Sequence, residues 1–277
     1  LNADGTPRFA LPQLLEADGQ VIRIQAGENG SIQGPAEAKW GYTVPAAGDF
    51  DGDGLPDFVI NSIWGEILWY RNIGTRQQPK LAAAQRVEVA WPGAPPKPAW
   101  NWWHPRDRSL VTQWRTSPVL FDVNGDGLND LVILDHEGYL ACFERFRDAQ
   151  GHLSLKPPQR IFGDERGEPL RLNDGRAGKS GRRKLTLTDW DGDGRIDLLL
   201  NSINVEFWRN VGTDGQWRFR NLGSVSEQRL AGHTTCPTVG DFDGDGRPDL
   251  ILDAEDGFFY YLANPWGVRT TKASAAQ

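Results

Sequence analysis

Short apolar runs recur along the chain in a fixed company. "DFVINS" (57–62), "DLVILD" (130–135), "DLLLNS" (197–202) and "DLILDA" (249–254) each follow a loop crowded with acids. A polar turn comes next, then an aromatic run: "GEILWYRNIGT" (65–75), "GYLACFERFRD" (138–148), "NVEFWRNVGT" (204–213) and "GFFYYLANP" (257–265). Ahead of each loop stands another short run: "YTVPAAG" (42–48), "RTSPVLF" (115–121), "RKLTLT" (183–188) and "TTCPTVG" (234–240). Runs of this length, rich in Val, Ile, Leu and aromatics and bounded by turn residues, predict strands. Helix signals are scarce in a chain with 32 glycines and 18 prolines.

The order strand, acidic loop, strand, turn, strand is therefore a repeat. The first aspartates of the loops, Asp49, Asp122, Asp189 and Asp241, are 73, 67 and 52 residues apart. A fainter fourth segment such as "PKLAAAQRVEVA" (79–90) completes each unit. Units of four antiparallel strands predict an all-β fold, a β-propeller whose blades bury their faces on one another. Residues 1–277 read as one domain with blade cores near 43–90, 116–162, 183–222 and 235–264. Residues 1–17 resemble an outer blade strand, so the two ends could complete one blade and close a ring of four. There is no methionine, so residue 1 is not a translation start, and the preferred expectation is a piece of a larger propeller.

The loops read "DFDGDGLPD" (49–57), "DVNGDGLND" (122–130), "DWDGDGRID" (189–197) and "DFDGDGRPD" (241–249). Like charges this close repel unless a cation gathers them. Calcium takes six to eight oxygen ligands, chiefly carboxylates and carbonyls. Positions one, three, five and nine supply Asp49, Asp51, Asp53 and Asp57 in the first loop, and Asp122, Asn124, Asp126 and Asp130 in the second. The third has Asp189, Asp191, Asp193 and Asp197; the fourth has Asp241, Asp243, Asp245 and Asp249. Asn124 ligates through a neutral oxygen, which predicts weaker binding in the second loop. Up to four calcium ions are expected, with a structural role. An EF-hand needs glutamate at position twelve; Ile60, Ile133, Leu200 and Leu252 stand there instead.

These loops and their flanking strands resemble FG-GAP/VCBS repeats, the calcium-loop blades of integrin α-subunit propellers and of many secreted bacterial proteins. The resemblance implies a calcium-binding propeller in a secreted or extracytoplasmic setting.

Charge changes the picture once the loops are set aside. The net charge of -7 includes 15 loop aspartates, so the rest of the chain carries +8. A basic remainder favours an anionic partner. No nucleic-acid module fits the repeat, and no apolar run is long enough for a membrane span. The two cysteines, Cys142 and Cys236, are expected to stay unpaired. "GRAGKS" is no phosphate loop: residue 173 is Asn where the first glycine belongs, and strand rather than helix follows.

In a meander the acidic loops share one face, and the links between units share the other with the turns between second and third strands. On that opposite face fall Trp64 and the insertion holding Trp100, Trp102, Trp103, His104, Arg106 and Arg108, together with Lys179, Arg182 and Arg183. Indoles offer apolar faces for sugar rings, and guanidinium offers a fork for carboxylate or sulfate. The leading expectation is a module recognising an acidic polysaccharide or cell-surface glycan. An enzyme is the alternative, since some propellers that this chain resembles are lyases or glycosidases acting on rhamnose–uronate linkages. His104, His136 or His233 would be the base, and Arg106, Arg108 or Arg183 the neutralising cation. A hydrolase would draw on Glu137, Glu255 and Asp256. A third expectation is an integrin-like adhesion or protein-interaction module.

Overall fold

The computed structural model describes residues 11–98, 105–173, 181–230, 234–254 and 257–265. It is all-β; among these residues the one helical element is a 3-10 turn, Pro35–Glu37. Four antiparallel sheets follow one another along the chain. The first is a four-stranded meander of Pro45–Gly48, Asp57–Asn61, Ile67–Tyr70 and Gln85–Arg86. The second has three strands, Val119–Phe121, Asp130–Leu134 and Leu140–Phe143, with Cys142 bridged to Gln159 beyond them. The third runs Leu185–Thr188, Asp197–Asn201, Val205–Asn210 and Arg218–Ser224, and Gly163–Asp164 adds a parallel outer edge. The fourth is Cys236–Gly240, Asp249–Asp253 and Phe259–Leu262. Two hairpins stand apart, Glu16–Ala17 with Gln20–Val21 and Arg145–Arg147 with Leu153–Leu155. The fourth segment expected at 79–90 contributes only Gln85–Arg86 to its sheet.

The lead strand of each sheet lies beside the lead strand of the next. Thr186 Oγ1 donates to the Pro237 carbonyl at 3.1 Å across one such junction. The sheets pack through alternate side chains, because successive strand residues point to opposite faces. In the second sheet Leu131 and Ile133 join Val59, Ile67 and Phe50 of the first, while Val132 and Leu134 join Leu198 and Leu200 of the third. The third sheet turns Leu199, Val205 and Phe207 toward Leu250 and Leu252 of the fourth. A strand covered on both faces has no polar side to show, which is why Asp130–Leu134 is buried at every position. Each such fully buried aliphatic side chain contributes about 1.5–3 kcal/mol. On the outer face of the fourth sheet Phe259 and Tyr261 are 80% and 50% exposed.

Candidate functional site

The acidic loops join first and second strands in all four sheets. Both glycines of each loop have positive φ, between 72° and 88°, a path that a side chain would strain. That path turns backbone N–H groups onto the first aspartate. Asp49 accepts from Gly52 and Gly54, at 2.7 and 2.8 Å. Asp122 accepts from Gly125 and Gly127 at 2.8 and 2.9 Å, and Asp241 from Gly244 and Gly246 at 2.7 and 3.0 Å. Asp189 accepts from Asp193 and Gly194 at 3.1 and 2.9 Å.

Carboxylate oxygens gather within 4.8 Å of one another in three loops: Asp49, Asp51 and Asp53; Asp189, Asp191 and Asp197; Asp241, Asp243 and Asp249. An all-oxygen, multiply charged donor set fits a hard divalent cation. Burial pushes the Asp51 and Asp191 carboxyls above their ordinary range, with the neighbouring aspartates adding to it. A bound cation would offset that cost. In the second loop Asn124 breaks the carboxylate series, and its amide donates to Asp126 at 3.0 Å.

Position nine has a further duty that sequence reading missed. Asp57, Asp130, Asp197 and Asp249 are all buried. One oxygen of each accepts the N–H of loop residue two: Phe50, Val123, Trp190 and Phe242, at 3.0–3.2 Å. The other accepts the N–H at the end of the third strand: Asn72, Arg145, Asn210 and Asn264, at 2.7–3.0 Å. The residue staples loop, second strand and third strand together. Burial raises the carboxyl pKa of Asp57, Asp130 and Asp197, the last to about 6. The Asn264 N–H lowers that of Asp249.

On the opposite face the segments leading into the sheets meet. Arg115, 2% exposed, lays its guanidinium 3.6 Å from the Tyr42 ring centre and 4.4 Å from that of Trp114. Its Nη2 donates to both oxygens of buried Glu37 at 2.7 Å and to Gln33 at 3.0 Å. Burial opposes ionisation of Glu37, but Ser31, Arg115 and Tyr42 together hold its carboxyl below the ordinary range. Trp40, 52% exposed, meets Tyr42 edge-on at 5.5 Å, and the Arg182 guanidinium lies 5.7 Å from the same ring. Glu37, Tyr42, Trp114 and Arg115 were not singled out as binding residues; a buried arginine leaves no mark in a hydropathy pattern.

The expected ligand residues divide. Arg182 sits on this face, and Trp64 is anchored there, its indole N–H donating to the Ala26 carbonyl at 3.0 Å and its ring packing by Ile63 and Trp114. Arg183 is held by the Leu172 carbonyl at 3.0 Å, and His136 lies in the turn gripped by Gln113. Arg108 lies elsewhere, beside Ser154 at 2.6 Å and Glu88 at 3.4 Å; exposed Arg106 follows the same loop. Glu137 is hydrogen-bonded to Arg160, which keeps its carboxyl ionised and unsuited to general acid work. Trp100, Trp102, Trp103, His104, Lys179, His233, Glu255 and Asp256 lie outside the described residues.

The model of the FG-GAP-like repeat family matches residues 189–252, from the third acidic loop to the strand after the fourth. The chain thus carries FG-GAP-like repeat sequence, as the loops suggested. No curated protein matches it. Among solved structures, one described as the basis of specific recognition of non-reducing terminal N-acetylglucosamine by an Agrocybe aegerita lectin is similar at 19% identity and TM-score 0.43. The match covers 89% of this chain and 54% of that one. A Photorhabdus luminescens Tc holotoxin pore structure is similar at 17% identity and TM-score 0.40, over 78% of this chain and 9% of that one. The chain spans about half the length of the first and under a tenth of the second. Among the described residues, no helix is long and apolar enough to cross a membrane.

Proposed function

We propose that this chain is an extracytoplasmic calcium-binding β-propeller, or part of one, that recognises an acidic carbohydrate on the face opposite its acidic loops. The sheets correspond to blades, each bracing its first turn with a calcium ion. Asp49, Asp51, Asp53 and their counterparts would hold the ion, which supplies the positive charge that brings those carboxylates together.

The carrying observation is the convergence of exposed Trp40, Tyr42 and exposed Arg182 over the buried Arg115–Glu37 pair. The indole offers a flat apolar surface to a sugar ring. Arg182 brings positive charge to the same face, which suits a uronate carboxylate or a sulfate. Glu37 is neutralised by Arg115, so the face is not acidic where an anion would approach.

Two measurements test the proposal. Chelation should lower the melting temperature and calcium restore it, by about 2.7 kcal/mol of added stability for each occupied site at a hundredfold excess over Kd. No change on thorough chelation would sink the calcium reading. Separately, calcium-loaded protein is passed over uronate-containing and neutral polysaccharide columns while absorbance of an unsaturated uronate and reducing ends are followed in solution. Retention on uronate glycans alone, weakened by salt and by Trp40→Ala or Arg182→Ala, is the expected result. Equal retention on neutral glycans would overturn the acidic preference. A rise in absorbance would convert the module into a lyase.

A further inference from the structure

The shared staple aligns the four units residue by residue, and one position then separates them. The residue before the N–H donor to position nine is Arg71, Glu144, Arg209 and Ala263 in the four units. Arg71 places Nε 2.5 Å from Asp51 Oδ2 and Nη2 3.1 Å from Asp53 Oδ2. Arg209 places Nε 2.6 Å from Asp191 Oδ2 and Nη2 3.0 Å from Asp193 Oδ2. The same fork is laid across positions three and five twice. In the second unit Glu144 turns to Lys156 instead, at 2.5 Å. In the fourth, Ala263 has nothing to reach with; among the described residues the Tyr261 hydroxyl approaches Asp243, at 3.4 Å.

We infer that Arg71 and Arg209 are tethered counter-ions that compete with calcium for the first and third loops, leaving the fourth loop to load first. This rests on the proposed calcium sites. Each guanidinium ion-pairs with position three through Nε and donates a charge-assisted hydrogen bond to position five through Nη2, on oxygens a divalent ion would use. Both arginine side chains are partly exposed, at 43% and 38%, so each can swing into water when the ion arrives. Until then it neutralises carboxylates that would repel one another. The two roles have opposite signs, since the arginine supports the calcium-free loop and weakens its affinity for the ion. The fourth loop has four carboxylates and no third-strand arginine. Its own Arg247 touches Asp245 at 3.4 Å from the rim.

Terbium, a luminescent stand-in for calcium, can be read at the competed loops. The Trp69 indole N–H lies 3.0 Å from Asp57 in the first loop, and Trp190 is residue two of the third. Tryptophan-sensitised emission therefore includes those two loops, while calorimetric calcium titration reports all four. In Arg71→Gln/Arg209→Gln the emission midpoint should fall about fivefold or more. The calcium-free melting temperature should drop at the same time. An unchanged or raised midpoint overturns the inference while leaving the calcium reading intact. A wild-type chain that takes up neither terbium nor calcium overturns both.

Discussion

Removing the Glu37 carboxylate should be among the most damaging single changes this chain can suffer. Arg115 exposes 2% of its surface and Glu37 6%, so the pair is out of reach of water. In Glu37→Ala the guanidinium keeps the Gln33 oxygen at 3.0 Å and the rings of Tyr42 and Trp114, but has no counter-charge. Breaking a buried ion pair from one side costs about 3–5 kcal/mol. For a chain of this size, about 2–4 °C is lost per kcal/mol, so the melting temperature should fall by roughly 6–20 °C. Near-ultraviolet circular dichroism in excess chelator measures it without interference from bound metal. Glu37→Gln/Arg115→Met, which removes both charges at similar volume, should recover most of the loss. The sign with pH follows from the lowered Glu37 pKa. Its stabilisation is complete above the ordinary value of 4.5 and is lost as pH falls through the lower folded value. The wild type and Glu37→Ala should therefore converge at strongly acid pH. A Glu37→Ala protein within about 1 kcal/mol of wild type at neutral pH, or a double variant as damaged as the sum of the singles, would refute the reasoning.

Four further outcomes are expected. Asp197→Ala orphans the N–H groups of Trp190 and Asn210, each costing about 1–3 kcal/mol; less about 3 kcal/mol for relief of burying a carboxyl whose pKa is pushed up to about 6, urea unfolding in chelator should show a net loss of about 1 kcal/mol. Exposed Asp245→Ala should stay within about 0.5 kcal/mol in the same assay. Burial raises the Cys142 and Cys236 thiols above their ordinary range, so an aromatic disulfide reagent at pH 8 should titrate both thiols only after unfolding. Rapid reaction of both in the folded protein would contradict the packing. Gly138 has φ +87° and an added Cβ would meet the Asn173 carbonyl at 2.0 Å, so Gly138→Ala should cost more than about 1 kcal/mol by the same unfolding assay.

The repeat was legible because its chemistry is local. A strand announces itself by a few apolar residues between turns, and an acidic loop by carboxylates and glycines at fixed offsets along one stretch of backbone. Strand order within each sheet follows, since short turns force neighbouring strands to pair. The candidate calcium ligands at positions one, three and five were readable for the same reason. What the chain alone did not disclose depends on partners far off in sequence. Asp57 and its counterparts look like ligands, yet each is also a staple onto an N–H 13 to 15 residues on. Arg71 and Arg209 stand in aromatic strands with nothing local to mark them as the cations of their own loops. Arg115, 78 residues from Glu37, sits in a polar stretch that hydropathy assigns to the surface. Only tertiary structure decides such pairings, because packing brings a charge out of water and makes its one partner across the fold indispensable.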